Sequence, residues 1–144
     1  MSEITIYTDG ACSGNPGKGG WGAIIILSDE KKYLSGFKVL TTNNQMELTA
    51  TIESLKSIVE PSNIKLYTDS QYVKNGITSW ILNWKKNGWK TANKKPVANK
   101  DLWLELDKYV EYHSVNWFWV KGHSGDRYNE IADDLAVKAM NACC

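Results

Sequence analysis

The chain has 144 residues, 42% of them hydrophobic and 23% charged, with a formal net charge of +1. That length suits one domain burying about 70% of its unfolded surface around a single core, and the composition excludes intrinsic disorder and fibrous architectures. The longest apolar run, Ala23 to Leu27, is far short of the roughly 20 residues of a membrane span.

Met1-Ser2-Glu3-Ile4 lacks the basic and apolar regions of a signal peptide, so a cytoplasmic location is expected. Glu3 to Asp9 alternates as a strand does, with Ile4, Ile6 and Thr8 on one face and Thr5, Tyr7 and Asp9 on the other. Gly10 to Gly20, rich in Gly, Asn and Pro, is expected as a loop. Trp21 to Ser28 and Lys32 to Leu40 read as two strands of an antiparallel meander. Leu48, Ile52, Leu55 and Val59 mark one stripe of a helix from about Asn44 to Val59, ended before Pro61. Ile64 to Asp69 is a strand, Ser70 to Trp89 a broken helical stretch, and a lysine-rich loop leads to a helix from Lys100 to about Tyr112. Val115 to Val120 is the last strand, and Asp126 to Met140 the last helix, with Ile131, Leu135, Ala136 and Ala139 inward. This order implies one α/β domain, a mixed sheet whose later strands join by parallel crossovers.

Charge is distributed unevenly. From Ser70 to Lys100 there is no acidic residue, whereas Lys74, Lys85, Lys86, Lys90, Lys94, Lys95 and Lys100 are interleaved with Trp80, Trp84 and Trp89. Cations beside indoles suit a polyanion that also offers faces for stacking, which is nucleic acid. A solvated lysine face over core tryptophans is the alternative. Cys12, Cys143 and Cys144 form neither a disulfide framework nor a zinc-site spacing, and no function attaches to the vicinal pair.

The first and fourth strands end alike, in Tyr7-Thr8-Asp9-Gly10 and Tyr67-Thr68-Asp69-Ser70. If they are parallel neighbours about 4.8 Å apart, both carboxylates project from one face at the sheet edge where open α/β sheets place their sites. Anions so close repel unless a cation lies between them, and hard oxygen ligands favour Mg²⁺ or Mn²⁺. Singly, Asp9 could open a turn and Asp69 could cap a helix. Glu47 could close a capping box with Asn44, yet about 100° per residue also puts it at the edge of the apolar stripe, over the sheet. Asp133 and Asp134 flank the last helix's inward stripe, and periodicity does not choose between them. His123 falls on a glycine-flanked loop.

Tyr7-Thr8-Asp9-Gly10-Ala11-Cys12-Ser13-Gly14-Asn15-Pro16-Gly17, Thr42-Asn43-Asn44-Gln45-Met46-Glu47, Tyr67-Thr68-Asp69-Ser70-Gln71-Tyr72-Val73, Trp119-Val120-Lys121-Gly122-His123-Ser124-Gly125 and Asn129-Glu130-Ile131-Ala132-Asp133 together resemble the bacterial type 1 ribonuclease H (ribonuclease HI) family. The resemblance implies a five-stranded mixed sheet ordered 3-2-1-4-5 with helices on both faces. It implies metal binding by Asp9, Glu47, Asp69 and Asp133, which settles Asp133 over Asp134, and a loop histidine at His123. The activity implied is hydrolysis of the RNA strand of an RNA–DNA hybrid, leaving 5′-phosphate and 3′-hydroxyl ends, with two Mg²⁺ ions per site or Mn²⁺ as a substitute.

The same resemblance sets Asn15, Asn43, Asn44 and Gln71, with the backbone near Gly10 and Cys12, against the RNA strand. It makes residues of about 80–100 a basic handle, where Trp80, Thr42 and Asn99 meet the DNA strand; by their charge, Lys85, Lys86 and Lys90 within it are expected to act on phosphates. Trp84 and Trp89 could equally touch substrate or pack. With no hybrid-binding domain before Met1, the chain is similar to the minimal bacterial form, an expected monomer. Two rivals stand: a resolvase- or transposase-like DNA nuclease on the same fold, and a hybrid-binding module without catalysis.

Overall fold

The computed structural model of the protein describes residues 3–91, 93–120 and 127–143. Three strands open it, β1 (Glu3–Gly14), β2 (Gly17–Ile26) and β3 (Lys31–Thr41). They form an antiparallel meander, as strands joined by tight turns must. Helix α1 (Asn43–Lys56) leads to β4 (Asn63–Thr68). A helical run follows: α2 (Gln71–Asn75), a π-helical turn over Gly76–Trp80, and α3 (Ile81–Lys86). Then come α4 (Lys100–Tyr112), β5 (Ser114–Trp119) and α5 (Arg127–Ala142). Reached through helices, β4 and β5 add in parallel, and the sheet order is β3-β2-β1-β4-β5. Among the described residues no helix is long and apolar enough to cross a membrane.

The expected loop from Gly10 to Gly20 is mostly strand. β1 and β2 stay paired from Thr5↔Ile26 to Gly14↔Gly17, leaving only Asn15 and Pro16 between them. Glycines that read as loop punctuation serve close approach instead. A Cβ on Gly10 would lie 2.6 Å from the Glu47 nitrogen and 2.7 Å from the Met46 carbonyl carbon, so a side chain there would hold α1 off the sheet.

Helix α1 also stops one turn earlier than its apolar stripe suggests. Ser57 is the C-cap, and Val59 is 81% exposed. At the other end Thr42 is the N-cap, its hydroxyl accepting from the Gln45 N–H. Glu47 thus lies beyond the third helical position, and no capping box with Asn44 forms.

One face of the sheet carries Ile4, Ile6, Ile64 and Leu66 against Leu48, Ile52 and Leu55 of α1 and Trp103 and Leu106 of α4. Trp84 packs on Trp103, ring centroids 5.3 Å apart, and Trp89 on Trp84 at 6.0 Å. These two indoles therefore anchor the basic segment to the core. The opposite face packs Tyr7 and Ile24 under α5. There the fully buried residues are Asn129, Ala132 and Ala136, while Ile131, Leu135 and Ala139 are half-buried. Small residues face the sheet because α5 lies close to it: a Cβ on Gly22 would be 2.6 Å from the Ala132 carbonyl oxygen and 2.8 Å from the Ala136 nitrogen.

Candidate active site

Parallel pairing of Tyr7 with Tyr67 and Thr8 with Thr68 brings Asp9 and Asp69 to the same level at the C-terminal edge of β4, where the strand's chain turns into α2. Asp9 stays inside β1, its Oδ1 accepting the Gly10 N–H at 2.9 Å. Asp69 stands in the turn. Ser70, not Asp69, caps α2, its hydroxyl accepting the Val73 N–H at 3.1 Å, and the Trp119 indole N–H donates to the Asp69 carbonyl oxygen at 3.2 Å. β5 thereby helps hold the turn.

Glu47 enters from α1, seated by the bare Gly10 backbone. Carboxylate oxygens of Asp9, Glu47 and Asp69 all lie within 4.8 Å of one another. Glu47 is 5% exposed, and its Oε1 has no hydrogen-bond partner among the described residues. Such an orphaned buried oxygen is costly unless a cation takes it. Asp133, half-buried on α5, lines the same hollow as Asp9, whereas exposed Asp134 pairs with Lys138 at 2.9 Å. Geometry thus separates two neighbours that helical periodicity left equivalent.

Electrostatics mark the same place. Burial above all, then the Asp69 charge and the shared hydrogen bond with Asp133, push the Asp9 carboxyl up to about 8. Burial, followed by the Asp9 and Asp69 charges, holds Glu47 well above the usual carboxylate range. Anions converging without a counter-charge cost stability, and these residues fit a divalent cation set.

A hollow of about 360 Å³ over the carboxylates is lined by Asp9, Glu47, Asp69 and Asp133 and by Gly10, Asn43, Asn44 and Gln71. Asn15 borders the group, its Oδ1 accepting the Asn43 N–H at 3.4 Å. The Cys12 thiol lies 3.4 Å from the Thr41 carbonyl oxygen. A larger neighbouring hollow, about 640 Å³, includes Thr41, Gln45, Asn99 and Lys100. Trp80 is 37% exposed and stacks edgewise on Tyr72. Lys86 is exposed, but Lys85 is engaged with Asp107 at 2.9 Å and Glu111 at 3.0 Å. His123 lies outside the described residues.

Two residues that stand in the motifs without a role of their own there, Tyr72 and Gln45, organise this surface. The Tyr72 hydroxyl accepts from Asn99 Nδ2 and Trp103 Nε1, each at 3.0 Å. Gln45 receives a hydrogen bond from Thr41 at 2.8 Å and donates to Asn99 Oδ1 at 3.1 Å. Asn99, in the left-handed region at φ 60°, is held by both. Its αL conformation and the partners' long sequence separation leave no local signal.

Because Gly22 seats α5, Gly22→Ala is expected to displace Asp133 as well as strain the packing. Overpacking of this kind costs about 1–3 kcal/mol. Urea unfolding should register that loss, and turnover of the folded variant should fall further than stability does.

The RNase H family model matches residues 1–141. The chain is 61% identical over 138 residues to a ribonuclease H of Wolbachia sp. subsp. Drosophila simulans (strain wRi), covering 96% of this chain and 95% of that protein. It is 58% identical over 141 residues to a ribonuclease H of Hydrogenovibrio crunogenus, covering 98% and 97%. Among solved structures, LC9-RNase H1, described as a type 1 RNase H with the type 2 active-site motif, superposes with a TM-score of 0.91 at 31% identity, over 100% of this chain and 74% of that one. A match running through every strand and helix that positions the carboxylates, at this level of identity, means that the chain belongs to the ribonuclease H family.

Proposed function

We propose that the chain hydrolyses the RNA strand of RNA–DNA hybrids, leaving 5′-phosphate and 3′-hydroxyl ends, at the site built by Asp9, Glu47, Asp69 and Asp133. The observation that carries the reading is the buried Glu47 carboxylate: its Oε1 has no hydrogen-bond partner among the described residues, and one of its oxygens lies within 4.8 Å of a carboxylate oxygen of Asp9 and of Asp69. These carboxylates would hold two divalent ions, Mg²⁺ by preference of hard oxygen donors and Mn²⁺ as a substitute. When bound, such ions neutralise charge on the attacking and leaving oxygens of an in-line displacement. The chain's own part is to converge four anions from ordered positions, Asp9 within β1, Asp69 in the turn after β4, Glu47 on α1 and Asp133 on α5, so that ligands need no reorganisation.

Asn43, Asn44 and Gln71 supply amides beside the carboxylates that can both donate to and accept from a 2′-hydroxyl, the group separating RNA from DNA. Asn15, with the backbone of Gly10 and Cys12, extends that strand's track. Thr42, Asn99 and Trp80 face the DNA strand, and Lys86 acts on phosphates; Lys85 reaches them on exchanging its carboxylate partners. His123 serves proton transfer or product release, a role suited to a side chain titrating near neutrality. The protein works as one catalytic domain with a basic handle over about 80–100, a cytoplasmic monomer.

Labelled hybrid, duplex DNA, duplex RNA and single strands, each incubated with Mg²⁺ or with chelator, test this reading. Cleavage is expected only of the RNA in the hybrid and only with metal. Cut duplex DNA would favour a resolvase- or transposase-like nuclease, and binding without cleavage a hybrid-binding module.

A further inference from the structure

Pairing registers align one residue from every strand in a single row: Tyr33, Ile24, Tyr7, Tyr67 and Phe118. Over the three parallel strands the row is a stack of rings. Tyr7 and Tyr67 are 4.5 Å apart between centroids with planes 8° apart, and Tyr67 and Phe118 are 4.9 Å apart at 18°. Helix α5 covers the Tyr7 end, where Tyr128 meets Tyr7 at 5.4 Å. The other end runs out at edge strand β5, and Phe118 is 41% exposed. Among the described residues Phe118 has no ring partner except Tyr67.

The surroundings choose what adds to such a stack. Tyr67 and Phe118 stand level with each other, two residues of chain, about 6.6 Å in extended strand, before Asp69 in the turn that follows β4. One step further from the carboxylates, the face they share carries Lys65 and Asn116, paired in register. Among the described residues the Lys65 ammonium is held by an exposed ion pair to Glu3 at 3.5 Å, which contributes little. A planar ring, an amide and an available cation in sequence along one exposed strip match a nucleotide's base, base edge and phosphate. The Trp119 indole, donating to the Asp69 carbonyl oxygen, holds the end of β5 beside the turn that carries Asp69.

We infer that Phe118 stacks an unpaired base of the RNA strand where that strand leaves the hybrid beside the carboxylates, so that the enzyme favours hybrids carrying a single-stranded RNA extension. This rests on the reading of the carboxylates as the hybrid-cleaving site. The strand held there is the one whose continuation passes Phe118, and near-parallel stacking as the fourth plate of the row is tolerant of base identity.

Fluorescence anisotropy in chelator, with blunt hybrid, hybrid with a short RNA extension at either end, and the same extensions made abasic, tests the inference. Wild type should bind one of the extended hybrids at least about 5-fold tighter than blunt, the lower end of what one stacked base contributes. The gain should vanish with the abasic extension and in Phe118→Leu, which keeps an apolar contact with Tyr67 but has no planar face. Phe118→Trp should retain it, and thermal melts verify that both variants fold. An equal gain from abasic extensions or in folded Phe118→Leu would overturn the inference, as would no gain in wild type. A wild-type dimer that Phe118→Leu dissociates would also overturn it, assigning the ring to contact with a second copy. Cleavage of blunt hybrid with Mg²⁺ separates the two readings: no cleavage by wild type defeats the catalytic assignment itself, whereas equal cleavage by wild type and Phe118→Leu leaves that assignment standing whatever the extensions do.

Discussion

Asp9→Asn is expected to lower hybrid cleavage by more than about 100-fold, because even losing a group that only orients a metal ligand costs 10–100-fold. Hybrid binding should largely survive, as the amides and lysines proposed to meet the strands are untouched. In metal-free buffer the same variant should be more stable than wild type. Asp9 is 5% exposed, and its carboxyl is pushed up by burial, by Asp69 and by Asp133, so a neutral isostere spares the fold the cost of either carrying that charge or taking up a proton to remove it. The hydrogen bond from Gly10 can still be accepted by the amide oxygen. A gain on the order of 0.5–2 kcal/mol is typical where function has been kept at the expense of stability, corresponding to roughly 2–6 °C in Tm for a chain of this size. Mg²⁺ should raise the wild type's Tm more than the variant's, since a ligand stabilises the state that binds it. Melts with and without Mg²⁺ beside a cleavage assay decide the matter: an active variant would remove Asp9 from the ligand set, and an inactive but destabilised one would defeat the stability argument alone.

The second expectation concerns pH. With its folded-state value near 8 against an ordinary 3.8, Asp9 keeps in the native protein a proton that the unfolded chain has already released. Stability from this group is therefore fully present below about pH 4 and is lost as pH rises through about 8. Glu47, also raised, acts in the same direction. In the middle of that window the slope for one retained proton approaches about 1.4 kcal/mol per pH unit. Metal-free wild type should thus melt at progressively lower temperature from pH 4 to pH 8. Asp9→Asn should flatten the dependence, both by removing its own proton and by relieving Glu47 of a neighbouring charge. Urea denaturation at several pH values measures it. A pH-independent midpoint in metal-free wild type would mean that the carboxylates do not repel as their burial and spacing require.

Period-two alternation in Glu3 to Asp9 and the repeated Tyr-Thr-Asp ends made two strands and their matching carboxylates legible without coordinates. Local rules succeeded wherever a side chain's role depends on neighbours a few residues away. They misjudged Gly10 to Gly20, because a glycine-rich segment reads as loop until its partners are known; here glycine lets α1 and α5 approach a continuous hairpin. They placed Trp84 and Trp89 ambiguously, since lysine neighbours and a core contact at Trp103 are separate facts, the second arising across the fold.

By itself the sequence determined the element order, the parallel addition of the later strands, and the family to which the motifs are similar, since periodicity, turn residues and motif spacing are all properties of contiguous chain. The motifs grouped Asp9, Glu47, Asp69 and Asp133 only by resemblance; tertiary structure supplied the physical grounds, burying Glu47 beside Asp9 and Asp69 and setting Asp133 near Asp9 while Asp134 pairs with Lys138, and it alone decided that a ring stack emerges at Phe118. Desolvation, like-charge convergence and stacking across strands are properties of space: they arise only when segments tens of residues apart are packed against one another, and no local pattern encodes their distances.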